Sequence, residues 1–240
     1  QQIKDAYTLV QRGTADDFSV KPATDWQPKK SNKDALTEDF ILGYLGDIPK
    51  YYDDEFGGFG DYAQDYQPKY PDLPRLWLLL TASHYYSELQ AGPVLTYLLT
   101  TLKQMASGNF YNKGFGEKAD KRNWTRQHDE ATLLTNMSFL DLYLQAYQKT
   151  NETRLMEMAY QLMDDTRDFQ DIFLKKGFSG AFYSARRALL PVDLDKGKTV
   201  GPILKTLTTA GSARAVRTYL LIQILTHEPQ WRSKALKALE

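Results

Sequence analysis

The sequence feature that most constrains the fold is an internal repeat of about 70 residues, in which a helical hairpin is followed by a loop. The segment Gly108-Asn109-Phe110-Tyr111 returns as Gly180-Ala181-Phe182-Tyr183, 72 positions later. The turn between helices repeats too, since Thr150 and Thr226 occupy equivalent positions 76 apart. A unit of this kind buries its apolar faces only by stacking on neighbouring units. The repeat therefore predicts a solenoid or ring of helical hairpins.

Helical periodicity accounts for most of the chain between the loops. Helices are predicted over residues 33–51, 73–91, 93–107, 128–149, 152–174, 210–226 and 229–240. Residues 198–209 are rich in Thr and are open to either an extended or a helical interpretation. Short turns at one end and long Gly- and aromatic-rich loops at the other are typical of an α/α toroid. Seven helices make about half of a ring, so the fold class is all-α, a partial α/α toroid of helical hairpins.

The N-terminal segment differs from this pattern. Residues 1–32 are interpreted as a short helix, Ile3 to Arg12, followed by a polar linker that contains two prolines. The toroid-like domain is predicted to span residues 33–240 and to be incomplete as a ring.

Charge and composition exclude several classes of function. The 30 Lys and Arg residues balance 30 Asp and Glu residues, which argues against a nucleic-acid-binding domain. Cysteine is absent, so disulfides, thiolate metal sites and a catalytic cysteine are excluded. No apolar run reaches the roughly 18 residues of a membrane span. The three histidines show no metal-ligand spacing, and no cofactor or metal is predicted. A cytoplasmic and an exported protein both fit this composition.

The densest cluster of chemically active side chains lies at the predicted start of the helix over residues 128–149. His128 suits proton transfer near neutral pH and Glu130 could serve as its partner or as a second acid. On a helix, positions i and i+2 lie about 200° apart, so both face one pocket only if the helix begins after His128. Asn136 lies on a polar face with Thr132, which is the face an inner helix turns to a wet cavity, and Leu133, Leu134, Met137, Leu140 and Leu144 form the opposite, apolar face. The alternative interpretation is a helix cap with a solvated face.

A second cluster combines carboxylates with glycines and aromatic residues over positions 53–61. Asp54 and Asp61 are candidate acids, since glycoside hydrolysis commonly uses paired carboxylates. Phe59 in this loop is a candidate for contact with a substrate, and so are Tyr111 and Tyr183 in the repeated loops. Calcium binding and an acidic surface loop are the alternatives, although EF-hand spacing is missing.

Three segments resemble the YyaL-like, spermatogenesis-associated proteins, which have a thioredoxin-like domain followed by an α/α toroid. The segments are Gly57-Gly58-Phe59-Gly60 followed by Pro68-Lys69-Tyr70-Pro71, the set Trp124, His128, Glu130 and Asn136, and Gly180-Ala181-Phe182-Tyr183-Ser184-Ala185. The resemblance spans about residues 40–190 and implies a toroid similar to six-hairpin glycosidases and sugar 2-epimerases. It does not extend to the thioredoxin-like part, which this sequence lacks.

Two classes of function follow from the sequence. The first is a carbohydrate-active-like toroid domain that binds a saccharide, with His128 as acid or base, Glu130 as its partner and Trp124 as a stacking platform. If active, it would resemble a glycoside hydrolase or a sugar epimerase. The second is a non-catalytic domain, which would either bind a protein partner or a separate thioredoxin-like domain, or persist as a degenerate scaffold.

Overall fold

The computed structural model describes residues 37–60, 68–107, 110–111, 114–125, 130–165, 182–186 and 203–239. Its helices are α1 (Glu38–Asp47), α2 (Leu73–Tyr85), α3 (Glu88–Ala91), α4 (Val94–Ser107), α5 (Leu133–Thr150), α6 (Thr153–Asp165), α7 (Thr209–Thr226) and α8 (Pro229–Lys237). A 3-10 turn, Ile48–Tyr51, extends α1. The short strands are β1 (Ala131–Thr132), β2 (Tyr183–Arg186) and β3 (Ile203–Leu207). The predicted N-terminal helix and linker over residues 1–32 lie outside the described residues, and the domain division stays a prediction.

The helices pair into three hairpins, α2 with α4, α5 with α6 and α7 with α8. Helix α5 also contacts α2 on one side and α7 on the other, so α2, α5 and α7 form an inner row. Helices α4, α6 and α8 form the outer row. This arrangement confirms the predicted fold class, a partial α/α toroid.

The two later hairpins repeat in structure as they do in sequence. Helices α5 and α7 are both 18 residues long and begin 76 positions apart. Thr132 and Thr208 cap their N-termini, each accepting a backbone N–H three residues ahead, as N-cap residues do. Asn151 and His227 end them in the left-handed conformation. The repeat therefore fixes both ends of each inner helix by the same local chemistry.

The described parts of the long loops lie at the N-terminal ends of the inner helices, and the short turns lie at the other end. Loop residues 68–72 lead into α2, residues 130–132 lead into α5, and Thr208 leads into α7. The strands lie at the loop end as an antiparallel sheet in the order β1-β2-β3, in which Ala131 pairs with Arg186 and Tyr183 with Leu207. The Thr-rich segment is thus extended over residues 203–207.

Two predicted helix boundaries were wrong. The helix predicted over residues 73–91 is broken after Tyr85, where Tyr86 is extended and donates its N–H to Ala82. The helix predicted from His128 begins at Leu133, because extended Thr132 caps it and pairs in the sheet. Both candidates His128 and Glu130 therefore precede α5 in the chain.

The division of α5 into a polar and an apolar face was also wrong in detail. Leu134 was assigned to the apolar side but is 44% exposed, whereas Asn136 is fully buried. Asn136 is buried because the neighbouring loop segment, residues 114–119, covers it, with the Phe115 backbone N–H and carbonyl hydrogen-bonded to its side chain. Further along α5 the core contains, as expected, Met137, Leu140 and Leu144.

Candidate active site

A buried ion cluster joins the loops at the N-terminal ends of the inner helices. We call Asp53, Lys69, Arg122 and Trp124 the Asp53 cluster. The Asp53 carboxylate accepts from Lys69 Nζ at 2.7 Å and from Arg122 Nε and Nη2 at 2.9 Å each. It also accepts the backbone N–H groups of the two residues at 55 and 56, each at 3.1 Å. The side chains of Asp53 and Lys69 are fully buried. One carboxylate thus ties together three segments that are distant in sequence.

The cluster shifts the pKa values of both buried partners. Burial alone would raise the pKa of Asp53, but the hydrogen bonds from Arg122, Lys69 and the Phe56 N–H outweigh it and lower that pKa to about 2. Burial lowers the pKa of Lys69 to about 8, against the raising effect of the Asp53 carboxylate. At neutral pH the two side chains form a charged pair in the protein interior.

Trp124 is the fourth residue of the Asp53 cluster. Its backbone is in the left-handed region with φ 62°, and its side chain is completely buried. The indole Nε1 donates to the Phe56 carbonyl at 2.7 Å, and Lys69 Nζ lies 4.8 Å from the ring centroid. The Phe110 ring packs at 5.3 Å. A ring enclosed in this way offers no face to a sugar, so Trp124 acts here as a positioning residue for the loops.

Asn136 fixes the next loop to the start of α5. Its Oδ1 accepts the Phe115 N–H at 2.7 Å, and its Nδ2 donates to the carbonyls of Phe115 at 3.0 Å and Thr132 at 2.9 Å. The candidate Tyr111 contacts the Phe115 ring edge-on, with centroids 5.0 Å apart, and is half-buried. Asn136 therefore holds the loop that carries Tyr111.

The other two aromatic candidates are buried in the loop packing. Phe59 lies 5.5 Å from the Tyr52 ring and beneath the Arg75 guanidinium at 4.8 Å. Tyr183 is buried in β2 opposite Leu207. Direct contact of these two side chains with a substrate stays a prediction.

Two of the four acid and base candidates, Glu130 and Asp54, lie within the described residues. Glu130 is half-buried and stands directly before β1. Asp54 is exposed and close to Tyr52 and Tyr97, whose pKa values are raised by burial and, in addition, by this carboxylate. Asp61 and His128 lie outside the described residues, so the convergence of His128 with Glu130 and Asp54 stays a prediction.

An open cleft borders the Asp53 cluster and was not predicted. Its volume is about 390 Å³ and it is lined by Glu55, Phe56, Lys121, Arg122 and Asn123. The Arg122 guanidinium lies over the Phe56 ring at 5.3 Å and contacts Glu55 at 3.3 Å. An aromatic ring flanked by a carboxylate and cations is a surface that can hold a polar ligand. No sequence motif identifies these residues, because the two groups lie about 65 positions apart in the chain and come together only in the fold.

A second buried acid links the inner helices. Asp141 of α5 is fully buried and contacts Arg217 and, at 3.3 Å, Arg214, both from α7. Gln145 donates to its other oxygen at 2.6 Å. Asp141 and Arg217 are 76 positions apart, so equivalent positions of successive inner helices carry opposite charges. The repeat offset was the signal that could have identified this pair.

Within the described ranges, no three or more His, Asp or Glu side chains are grouped so as to hold a metal ion. Nor does any helix described in the structure have the length and apolar character needed to cross a membrane.

The pKa of Asp53 leads to a prediction for acid pH. Because its pKa is lowered on folding, from about 3.8 to about 2, the stability it provides is complete above about pH 5 and is lost as the pH falls toward 2. The shift corresponds to about 2 kcal/mol of unfolding free energy. Urea unfolding between pH 5 and pH 2 should show this loss on top of that from other carboxylates. Asp53→Asn should remove it, and an equal slope in both proteins would contradict the assignment.

No protein-family model matches the chain, and no curated protein sequence matches it. By fold, however, the chain is a partial α/α toroid of helical hairpins.

Solved structures show this likeness. A glycoside hydrolase family 76 mannosidase from Bacteroides thetaiotaomicron aligns with TM-score 0.60 and 14% identity over 84% of this chain and 53% of its own. Cellobiose 2-epimerase from Bacillus thermoamylovorans aligns with TM-score 0.56 and 12% identity over 83% and 54%. A D-mannose isomerase aligns with TM-score 0.56 and 12% identity over 85% and 51%. The chain thus spans about half the length of these proteins, and at such identities the likeness establishes the fold.

Proposed function

We propose that this chain is a carbohydrate-active toroid domain that binds a saccharide at the loop end of the inner helices. The observation that carries the proposal is its fold, which is similar to that of a mannosidase, a cellobiose 2-epimerase and a D-mannose isomerase. The described parts of the long loops lie at the N-terminal ends of the inner helices, and they include the predicted acids Asp54 and Glu130. A saccharide bound there would meet polar loop residues on a rigid helical scaffold.

We assign roles within this site as follows. His128 is the acid or base and Glu130, which leads directly into β1 and α5, is its partner or a second acid. Asp54 and Asp61 are further carboxylates for the same reaction class. The cleft beside the Asp53 cluster supplies Phe56 and Arg122 for ligand contact. Trp124 and Asn136 act through the loops that they position.

Two reactions are consistent with this set of groups. Hydrolysis of a glycosidic bond needs one acid to protonate the leaving oxygen and a carboxylate to activate water or attack carbon. Epimerisation beside the sugar aldehyde needs a base that removes the proton on that carbon and an acid that returns one to the opposite face. A His and Glu pair could serve either reaction.

The proposal is tested with saccharides taken from the named activities: α-mannan oligosaccharides, cellobiose and mannose. Calorimetry measures binding, reducing-end release measures hydrolysis, and exchange of the sugar C2 proton in deuterium oxide, followed by NMR, measures epimerisation. We expect Glu130→Gln and His128→Gln to lower turnover by about 10²- to 10⁴-fold. The matched controls are Glu157→Gln, exposed on α6, and His84→Gln, exposed at the far end of α2.

Two outcomes would overturn the proposal. The first is a folded protein, by its far-UV circular dichroism, that binds and converts none of these sugars. The second is an equal loss of turnover in the control variants, which would show that the effect is unrelated to position 128 or 130.

A second candidate function is a non-catalytic interaction domain. It is favoured by the exposed apolar side chains at both ends of the row of hairpins, among them Phe40, Leu89 and Ile224. From the order of the motifs in the sequence we also propose that the chain is a divergent relative of the YyaL-like proteins. A thioredoxin-like domain would then be its protein partner. Co-purification of such a domain, together with absence of sugar binding, would support this candidate over the first.

A further inference from the structure

One face of α5 points away from the helices that pack against it. Helices α2 and α7 contact α5 from either side, and α6 contacts it from the outer row. Positions three and four apart share one face of a helix, and one such strip of α5 has exposed side chains at both of its ends. The strip consists of Leu134, Ser138, Asp141, Gln145 and Gln148. It therefore lies on the concave side of the row of hairpins, opposite α6.

Asp141 lies in the middle of this strip and is nevertheless fully buried. Two arginines of α7 cover it: Arg214 Nη1 lies 3.3 Å from Asp141 Oδ2, and Arg217 Nη1 contacts the same oxygen. The other oxygen, Oδ1, accepts from Gln145 Nε2 at 2.6 Å. Because the arginines reach Asp141 on the concave strip, both guanidinium groups lie on the concave side too.

Both arginines keep most of their hydrogen-bonding capacity. A guanidinium group has five N–H donors, and among the described residues the acceptor for each is Asp141, contacted through Nη1. The Arg214 side chain is 34% exposed and the Arg217 side chain is 56% exposed. Helix α7 contains no acidic residue, so two cations face one carboxylate. The group therefore presents one net positive charge and several N–H donors to the concave side.

The depth of the two arginines suits a ligand that enters from the loop end. They are the sixth and ninth residues of α7, which places them about 8 and 12 Å along the helix from its first residue. A saccharide held by the loops would thus meet the guanidinium groups with the part that lies farthest from the loops.

We propose that Arg214 and Arg217 form a subsite for the anionic group of a saccharide. The group is a carboxylate, as in a uronic acid, or a phosphate, as in a sugar phosphate, because the planar guanidinium matches the geometry of both. Asp141 and Gln145 hold the guanidinium groups in position before the ligand arrives, which lowers the entropy cost of binding. The inference rests on the proposed saccharide function and adds the class of substrate to it.

The test compares acidic sugars with their neutral parents by calorimetry on the whole chain. The probes are glucuronate against glucose, mannose 6-phosphate against mannose, and inorganic phosphate alone. We expect one acidic sugar to bind at least about tenfold more tightly than its parent, since hydrogen bonds to charged groups contribute more than neutral ones. The sugar that shows this preference identifies the anionic group as carboxylate or phosphate.

Arg217→Gln should abolish the preference for the acidic sugar and leave the affinity for the neutral sugar unchanged. In this variant Asp141 keeps its contacts with Arg214 and Gln145, so the link between α5 and α7 is retained. The matched control is Arg232→Gln, exposed on α8 of the outer row, which should keep the preference. Circular dichroism and urea unfolding establish that each variant is folded.

A second variant leaves all contacts of Asp141 intact. Ala213 is exposed and precedes Arg217 by four positions on α7, a spacing at which a glutamate pairs with an arginine. Ala213→Glu should therefore compete for Arg217, repel an anion and lower the affinity for the acidic sugar severalfold. Ala213→Gln, which has nearly the same size and no charge, should not.

The outcomes separate this subsite from the saccharide function. Acidic sugars that bind no more tightly than their neutral parents would overturn the subsite and leave the saccharide function intact. A preference that survives both Arg217→Gln and Ala213→Glu would also overturn it. Binding of inorganic phosphate that depends on Arg217, without binding of any sugar, would support an anion subsite and overturn the saccharide function. Binding of none of the probes would overturn both.

Discussion

Asp53→Ala is expected to lower the free energy of unfolding by about 3–5 kcal/mol, the cost of removing one partner from a buried ion pair. Lys69 is fully buried and would lose the carboxylate 2.7 Å from its ammonium group. Arg122 would lose two hydrogen bonds to the same carboxylate. The N–H groups at positions 55 and 56 would lose their acceptor as well. Urea unfolding followed by tryptophan fluorescence measures the loss, because Trp124 packs on this cluster.

The matched control is Asp54→Ala at the adjacent position. Asp54 is exposed, and surface substitutions are usually worth within about 0.5 kcal/mol. The comparison of Asp54→Ala with Asp53→Ala therefore separates the effect of removing any carboxylate from this loop from the effect of removing the buried carboxylate. A decrease below about 1 kcal/mol for Asp53→Ala would contradict a buried ion cluster as the link between these loops.

Lys69→Met should cost less than Asp53→Ala, and the order of the two is informative. Methionine keeps most of the apolar volume of the lysine stem. In this variant the Asp53 carboxylate still accepts the two hydrogen bonds from Arg122 and those from two backbone N–H groups. The carboxylate is the shared acceptor, whereas the ammonium group is one of several donors to it. The reverse order would mean that Lys69, and not Asp53, is the centre of the cluster.

The hairpins could be predicted from sequence because their determinants are local or periodic. Thr132 and Thr208 mark the starts of inner helices through their own side chains, and Asn151 and His227 mark the ends. The stacking of hairpins follows from the repeat, since each apolar face needs a neighbour. The predicted start at His128 was wrong because pairing of β1 with β2 is a tertiary contact that helical periodicity does not encode.

The loop cluster could not be predicted, because its members meet only after the fold has formed. Asp53 and Arg122 are 69 positions apart. Nothing in the sequence Asp53-Asp54-Glu55 indicates which of the three carboxylates is buried. Lys69 was identified only as part of a motif, and lysine is rarely buried. For Trp124 the sequence indicated an important aromatic residue, but whether its ring faces a ligand or the loops depends on Lys69 over its face and on the Phe56 carbonyl at its Nε1.

Gly58→Ala is expected to lower the free energy of unfolding by about 3 kcal/mol or more. Gly58 has φ 86°, where a side chain adds backbone strain of about 1–2 kcal/mol. An added Cβ would lie 2.6 Å from Trp124 Cζ2 and 2.8 Å from Lys69 Cε. Both neighbours are fully buried, and overpacking of a filled interior costs a further 1–3 kcal/mol or so.

Gly92→Ala separates the two contributions. Gly92 has a similar φ of 71°, but an added Cβ there meets nothing within 4 Å, so only the strain of its backbone conformation remains, and about 1–3 kcal/mol should be lost. Urea unfolding of both variants gives the difference, which is the cost of moving Trp124 and Lys69. Because Gly58 also donates its N–H to Thr101 Oγ1 at 2.8 Å, the loop cannot retreat from the indole without breaking its contact with α4. Equal losses in the two variants would mean that the loop moves freely, and that Trp124 does not hold the loops that carry the predicted acids.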